Sequence, residues 1–120
     1  MGKKVLIVDD ASYMRQLIKD SLTKFGYEIV GEAEDGASGV EKYTSLKPDL
    51  VTMDIVMKDK TGIDTVKDIM TKDPDAKILM ISAMGQQAMV VDAIRAGAKG
   101  FVIKPFKPEV LLEEVKRIVG

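Results

Sequence analysis

Five short apolar runs alternate along the chain with five longer segments whose apolar residues recur at helical spacing. The runs have the length of strands and cover residues 5–8, 27–33, 50–53, 78–81 and 101–103. A continuous β-branched run such as the first is typical of a strand buried on both faces of a parallel sheet. Strict alternation of strands and helices therefore predicts an α/β fold in which helices cover both faces of one parallel sheet.

The longer segments carry signals for the starts and stops of helices. Ser12 is the predicted cap of the first helix and Gly26 its stop. Its predicted buried stripe is Met14, Leu17, Ile18, Leu22 and Phe25. Later helices are expected over 37–46, through 66–70 and over 88–96, and a last one starts at Pro108, with a stripe of Leu111, Val115, Ile118 and Val119.

Length and composition narrow the class of protein. A chain of 120 residues without an evident linker or repeat is expected to form a single domain over residues 1–120. Lys and Arg number 18 against 19 Asp and Glu, so the surface is not basic enough to predict binding to nucleic acid. No run is long enough for a signal peptide or a membrane span, and we expect a cytoplasmic monomer.

The chain contains no cysteine and no histidine. Disulfides, zinc–thiolate sites, the Ser-His-Asp arrangement and histidine ligation of metals are all excluded by these absences. A metal site in this chain must therefore consist of oxygen ligands, which select hard cations such as Mg²⁺, Mn²⁺ or Ca²⁺.

Residues whose side chains can bind a ligand or react follow four of the five predicted strands. In strand order they are Asp9 and Asp10, then Asp54, then Ser82 and Ala83, and finally Lys104. Ligands of such sheets bind at the carboxyl ends of the strands, so these side chains are expected to meet. A divalent cation relieves the repulsion of three carboxylates, and an aspartate can attack phosphorus. Lysine and serine supply a cation and a donor for phosphoryl oxygens.

Each feature also has a structural explanation when it is taken alone. An Asp-Asp pair after a strand is typical of a helix N-terminal cap, and a lone aspartate is typical of a turn. Lys104 before Pro105 is typical of a solvated turn, and Ser82 of a loop cap. The coincidence of all these features at one end of the predicted sheet favours a functional site.

The segments "VLIVDD", "DLVTMD", "ISAMG" and "FVIKPF" resemble those of response-regulator receiver domains, over essentially the whole chain. The resemblance is closest to stand-alone chemotaxis regulators. It implies a doubly wound, flavodoxin-like, five-stranded parallel sheet in the order 2-1-3-4-5 with five helices. It also implies a phosphorylation switch, rather than a turnover enzyme, that takes a phosphoryl group from a sensor histidine kinase in a reaction dependent on Mg²⁺, with Mn²⁺ as a substitute.

The resemblance implies roles by position. Asp54 is the expected phosphorylation site, and Asp10, Asp54 and the carbonyl of Val56 the expected metal ligands, with Asp9 acting through a water. Lys104, Ser82 and the backbone N–H of Ala83 are expected to contact the phosphoryl group. Phe101 is expected to move inward with Ser82, and the surface of helix four, strand five and helix five to bind a downstream protein. The flagellar motor switch is the expected target, a phosphatase a further partner, and a phosphorelay role the alternative.

Three departures from the family pattern lead to predictions. Lys58 replaces the usual proline after the acceptor, which predicts a looser loop; contact of Lys58 with the acids is the alternative. Phe101 has no hydroxyl, so its contribution depends on packing. Val56 and Met84 each lie two residues after Asp54 and Ser82, and as apolar residues they cannot orient water. We therefore predict that the acyl phosphate lasts longer than it would with polar residues at these two positions.

Two other functions are alternatives to the switch. An aspartyl phosphatase usually has a second acid two residues after its nucleophile, where this chain has Val56. A flavin- or nucleotide-binding module needs a glycine-rich, phosphate-binding loop after the first strand. The segment "DDASYM" has no glycine and carries two acids, so the sequence does not favour that module.

Overall fold

The computed structural model describes residues 2–83, 85 and 87–120, and its strands and helices alternate as the sequence predicts. The strands are β1 (Lys4–Val8), β2 (Glu28–Ala33), β3 (Leu50–Met53), β4 (Ile78–Ser82) and β5 (Gly100–Ile103). The helices are α1 (Ser12–Thr23), α2 (Gly36–Leu46), α3 (Gly62–Lys72), α4 (Gln87–Ala96) and α5 (Pro108–Val119). None of the helices in the described ranges is both long and apolar enough to cross a membrane.

All neighbouring strands run parallel, in the order β2-β1-β3-β4-β5. This confirms the predicted doubly wound sheet. In the register of β1 and β3, Val8 pairs with Met53. The residues that follow these two strands therefore leave the sheet side by side.

Two hydrophobic cores lie on the two faces of the sheet, because successive side chains of a strand point to opposite faces. One core joins alternate sheet residues, such as Val8 and Met53, to side chains such as Val66 and Ile69 of α3. The other joins the intervening sheet residues, such as Ile7, to α1 and α5, with Ile18 and Val115 among its members. The sheet is thus covered on both sides, as the alternation predicts.

The first helix differs from the sequence prediction at its start and in its buried face. Ser12 is not its cap: the N-cap residue is Ala11, which makes no side-chain cap hydrogen bond, and Ser12 is already helical. Leu17 and Phe25 are 42% and 55% exposed, so they do not belong to the buried stripe. Burial on this helix is confined to a narrower face, with Met14, Ser21 and the remaining predicted apolar residues.

The other predicted boundaries differ by a residue or so. Strand β3 ends where the sequence predicts, while Ser82 is the last residue of β4 rather than the first residue after it. Pro108 occupies the first turn of α5, as predicted. Ile118 is only partly buried, whereas the other three residues of the predicted α5 stripe are buried.

Candidate functional site

Three carboxylates converge where β1 and β3 end. One oxygen of each of Asp9, Asp10 and Asp54 lies within 4.8 Å of the other two. The backbone explains this proximity, because the N–H of Asp54 donates to the carbonyl of Val8 over 3.0 Å and continues the ladder between the strands. We call these three residues the acidic cluster.

Lys104 brings a positive charge into the acidic cluster. Its Nζ lies 2.8 Å from Oδ2 of Asp9 and 3.5 Å from Oδ2 of Asp54. The side chain is 14% exposed, so both ion pairs are largely shielded from water. The N–H of Lys104 donates to the carbonyl of Ser82 over 2.9 Å, which aligns the end of β5 with the end of β4.

Asp9 and Asp54 are buried, at 1% and 6% exposure, whereas Asp10 is the more exposed member of the cluster. Oδ1 of Asp54 accepts a hydrogen bond from the N–H of Ile55 over 2.8 Å. Burial, helped by repulsion from Asp9, raises the pKa of Asp54 above its ordinary value, although Lys104 opposes the rise. The site therefore favours any ligand that adds positive charge beside Asp54.

Arg15 supports the cluster from α1, a contact that the sequence analysis missed. Its Nη1 donates to the backbone carbonyl of Asp9 over 2.6 Å, and its Nε donates to Oε1 of Glu32 over 3.1 Å. Oδ1 of Asp9 also accepts from the N–H of Ala11 over 2.9 Å. Asp9 thus helps to order the turn before α1, but it does not cap the helix, because the amide that it accepts from is that of the N-cap residue Ala11.

The predicted switch residues lie on the two neighbouring strands. Ser82 ends β4 and is 1% exposed, and in the register of the sheet it pairs with Ile103. Phe101, in β5, is partly buried and packs against the core that contains Met53. Ala83 follows β4 and is exposed. Met84 and Gln86 lie outside the described residues.

The loop from β3 to α3 holds the other predicted modulators. Val56 is 54% exposed, so its side chain projects from the surface just beyond Asp54. Lys58 is also exposed, and its electrostatic influence falls on Asp35 at the start of α2. No carboxylate of the described residues lies within ion-pair distance of its ammonium group, so contact between Lys58 and the acidic cluster is not seen.

Gly62 closes this loop against the site, a second feature that the sequence analysis missed. Its N–H donates to the carbonyl of Ile55 over 2.6 Å. A Cβ at position 62 would lie 1.8 Å from the carbonyl oxygen of Asp54, so only glycine fits without a shift of the backbone. The close approach brings the start of α3 directly against the residue that follows β3.

Hard divalent cations suit this donor set. Carboxylates are the protein ligands that Mg²⁺ prefers, and this ion keeps several waters and accepts phosphate oxygens in its remaining positions. The residues present, namely two buried acids, one exposed acid and a lysine, match those needs without a nitrogen or sulfur ligand. The arrangement is also suited to stabilise the negative charge of a phosphoryl group held between a cation and Lys104.

Comparison with known proteins supports the same interpretation. Residues 5–116 match the family described as response regulator receiver domain. The chain is 58% identical over 118 residues to the chemotaxis protein CheY of Thermotoga maritima, covering 98% of each chain. It is 55% identical over 120 residues to the chemotaxis protein CheY of Bacillus subtilis, covering the whole of both.

A solved structure has nearly the same fold. It is the crystal structure of the CheX–CheY–BeF₃–Mg²⁺ complex from Borrelia burgdorferi, and the match is to one of its chains. The TM-score is 0.94 and the identity is 36%, with 96% of this chain and 87% of that chain covered.

Proposed function

The chain belongs to the response regulator receiver domain family, and from that membership we propose that it is a signalling switch controlled by phosphorylation of Asp54. The observation that carries the proposal is the position of Asp54: it is buried beside Asp9 and lies 3.5 Å from Lys104. A carboxylate in such surroundings can attack a phosphoryl group as a nucleophile, and the nearby positive charge can stabilise the phosphoryl oxygens.

The proposed metal ligands are Asp10, Asp54 and the backbone carbonyl of Val56, with Asp9 acting through a water. Bound Mg²⁺, or Mn²⁺ in its place, would neutralise negative charge on the cluster and on the phosphoryl oxygens. The crowding of three carboxylates within 4.8 Å supports this assignment, because one lysine offsets only part of their charge.

Asp54 acts as the nucleophile in the proposed reaction. One of its carboxylate oxygens forms the O–P bond while the P–N bond of a phosphohistidine on the kinase breaks, and the imidazole leaves. The Ile55 amide, 2.8 Å from Oδ1, holds the carboxylate in one orientation. Later attack by water releases inorganic phosphate and restores Asp54. The chain returns to its starting state and does not turn over an external substrate.

Lys104, Ser82 and Ala83 hold the phosphoryl group in the proposed active state. Lys104 moves its ion pair from the carboxylates to the phosphoryl oxygens, since these oxygens carry the larger charge. Ser82 donates its hydroxyl and Ala83 its backbone N–H. The positions of Ser82 and Lys104 at the ends of adjacent strands support these roles.

Phe101 transmits the change to the surface in this proposal. Phe101 is partly buried on β5 and packs against the core. Strand β4 lies between β5 and β3, the strand that Asp54 follows. Movement of Ser82 toward the phosphoryl group opens space that Phe101 enters. The surface of α4, β5 and α5 then binds the downstream protein. Its exposed apolar side chains, which suit such a contact, are Val91, Ile94, Ile103 and Val110.

We propose a chemotaxis pathway in the cytoplasm for this switch, on the strength of the CheY relatives. Its partners would be a sensor histidine kinase and a downstream protein, which we propose is the flagellar motor switch. The solved complex of CheY with CheX supports contact with a further protein, such as a phosphatase. We propose that residues 1–120 act as a single, monomeric domain.

Mass spectrometry tests the proposal. The protein is incubated with Mg²⁺ and a small-molecule phosphodonor, and its mass is measured with and without chelator. We expect one added phosphate that requires Mg²⁺ and that is absent from Asp54→Asn. Phosphate on the Asp54→Asn variant would refute the assignment of Asp54. Multiple turnover of an unrelated phosphomonoester would instead favour a phosphatase.

A further inference from the structure

The N-terminus of α2 is capped from two separate parts of the chain. The first four N–H groups of a helix have no partner within the helix. Here Ser38 donates to Oδ1 of Asp35 over 2.8 Å, which is an ordinary local cap. Gly36 and Ala37 donate to the two oxygens of Asp59, each over 2.9 Å. A residue of the loop between β3 and α3 thus caps a helix that precedes it by 23 positions.

Asp59 is well suited to hold this contact. Its carboxylate uses one oxygen for each helix amide, and Oδ1 also accepts from the N–H of Lys60 over 2.8 Å. The hydrogen bonds from Gly36 and Ala37 lower the pKa of Asp59, so the group stays ionised in neutral solution. Negative charge at a helix N-terminus is also favourable to the helix dipole.

The loop that Asp59 holds is the one that leaves the acidic cluster. It begins directly after Asp54 and is closed at its far end by the hydrogen bond between Gly62 and Ile55. Val56 lies between Asp54 and Asp59 in this loop. Asp59 therefore provides a second attachment for the segment, in the place where a proline at position 58 would have restricted the backbone.

We infer that Asp59 is a positioning residue for the cation site: by fastening the loop to α2, it holds the carbonyl of Val56 where a divalent ion can bind it. The inference rests on the proposed function, in which that carbonyl is a ligand. In this inference, the contact of Asp59 with α2 opposes the loosening that we expect from the missing proline.

Magnesium titration followed by NMR tests the inference. We compare the wild-type protein with Asp59→Ala, Asp59→Asn and Asp35→Ala. Loss of a group that orients a ligand typically weakens metal binding by tenfold or more. We expect about tenfold weaker binding for Asp59→Ala and a smaller loss for Asp59→Asn, because the single amide oxygen of asparagine can still accept from one of the two helix amides. Asp35→Ala is the matched control, since it uncaps the same helix without releasing the loop, and its affinity should not change.

Amide hydrogen exchange in the metal-free protein independently measures how firmly the loop is held against α2. Val56, Gly36 and Ala37 should exchange faster in Asp59→Ala than in the wild type, whereas Asp35→Ala should not affect Val56. Asp59 is exposed, so none of these substitutions empties the core.

Three outcomes would overturn the inference. The first is an unchanged Mg²⁺ affinity in Asp59→Ala. The second is an equal loss in Asp59→Ala and Asp59→Asn, which would assign the effect to charge alone. The third is an equal loss in Asp35→Ala, which would assign it to general weakening of α2. Failure of the proposed function is seen separately, as a wild-type protein that neither binds Mg²⁺ nor becomes phosphorylated.

Discussion

The ammonium group of Lys104 lies 2.8 Å from the carboxylate of Asp9, and the pair is largely shielded from water although its members come from opposite ends of the chain. The pair joins the end of β5 to the end of β1, across two intervening strands. A buried pair of this kind is costly to break, since removal of one partner leaves the other charge without compensation.

Replacement of Lys104 by methionine should therefore destabilise the metal-free protein. Loss of one partner from a buried pair typically costs roughly 3 kcal/mol, and here the repulsion between Asp9 and Asp54 is also left unopposed. Urea unfolding in chelator should show the loss, and saturating Mg²⁺ should recover much of it. Equal stability of wild type and Lys104→Met in chelator would contradict the predicted role of the pair.

Replacement of Asp10 by asparagine should instead stabilise the metal-free protein. Asp10 is the more exposed acid of the cluster and makes no hydrogen bond or ion pair with another described residue. Two like charges 4 Å apart repel by about 1 kcal/mol even in water, so the metal-free variant should be more stable by about that amount. The same variant should gain less stability from Mg²⁺ than the wild type. Destabilisation of the metal-free Asp10→Asn protein would refute this prediction.

Thr52 offers a test of core packing. Its hydroxyl is buried on β3 without a hydrogen-bond partner among the described residues, between Ile7 and Leu79 on the neighbouring strands. Valine has the same shape and no group to leave unsatisfied, so Thr52→Val should raise the free energy of unfolding by about 1 kcal/mol. Urea unfolding measures the change. A decrease in stability would show that the hydroxyl has a partner, such as a buried water.

Tyr43 and Asp73 should make stability depend on pH. The hydroxyl of Tyr43 donates to Oδ2 of Asp73 over 2.6 Å, and this bond lowers the pKa of Asp73. A carboxyl whose pKa is lower in the folded state adds stability above its unfolded pKa and loses it as the pH falls through the folded pKa. Tyr43→Phe should therefore cost about 1 kcal/mol at neutral pH and progressively less in acid.

Urea unfolding from neutral pH down through the range in which carboxyl groups titrate, with Tyr13→Phe as the control, checks the prediction. Tyr13 is 72% exposed, and its hydroxyl makes no hydrogen bond with a carboxyl group of the described residues. Its removal should have the same effect at every pH. A Tyr43→Phe penalty that stayed constant into acid would contradict the assigned role of Asp73.

The lifetime of the acyl phosphate is expected to depend on Val56 and Met84. Val56 is exposed just beyond Asp54, so a polar side chain at this position has room to orient an attacking water. Val56→Asn combined with Met84→Glu should shorten the lifetime by about tenfold or more, since proton transfer by a positioned side chain typically contributes roughly 10²–10⁴-fold. Loss of phosphate followed by mass spectrometry measures the rate. An unchanged rate would show that water access, and not its orientation, limits hydrolysis.

The architecture could be predicted because its determinants are local. The run at 50–53 matches β3 at both ends, and the proline at 108 marks the start of α5. The position of Asp54 at a strand end follows from the same pattern. Periodicity was less informative around α1, where Leu17 on the helix and Phe25 just after its end have the spacing of buried residues but remain exposed. The extent of the covered face depends on how the helix meets the sheet.

Contacts between distant segments could not be read from the sequence. Asp59 lies in a polar loop and has no local pattern that distinguishes it from Asp64 or Asp68, yet only its carboxylate reaches α2 among these three in the described structure. Arg15 similarly matches an ordinary solvated helix position until the fold places it beneath Asp9. Such roles depend on how helices and loops are oriented relative to one another, which the local sequence pattern does not show.

In the proposed function, the Lys104–Asp9 pair gives folding and phosphorylation different requirements for ions. The ammonium group partly neutralises the acidic cluster, so the newly made chain can fold without a bound cation. A shortage of magnesium would then stop phosphorylation without unfolding the protein, and the stored molecules could respond again once the ion returned.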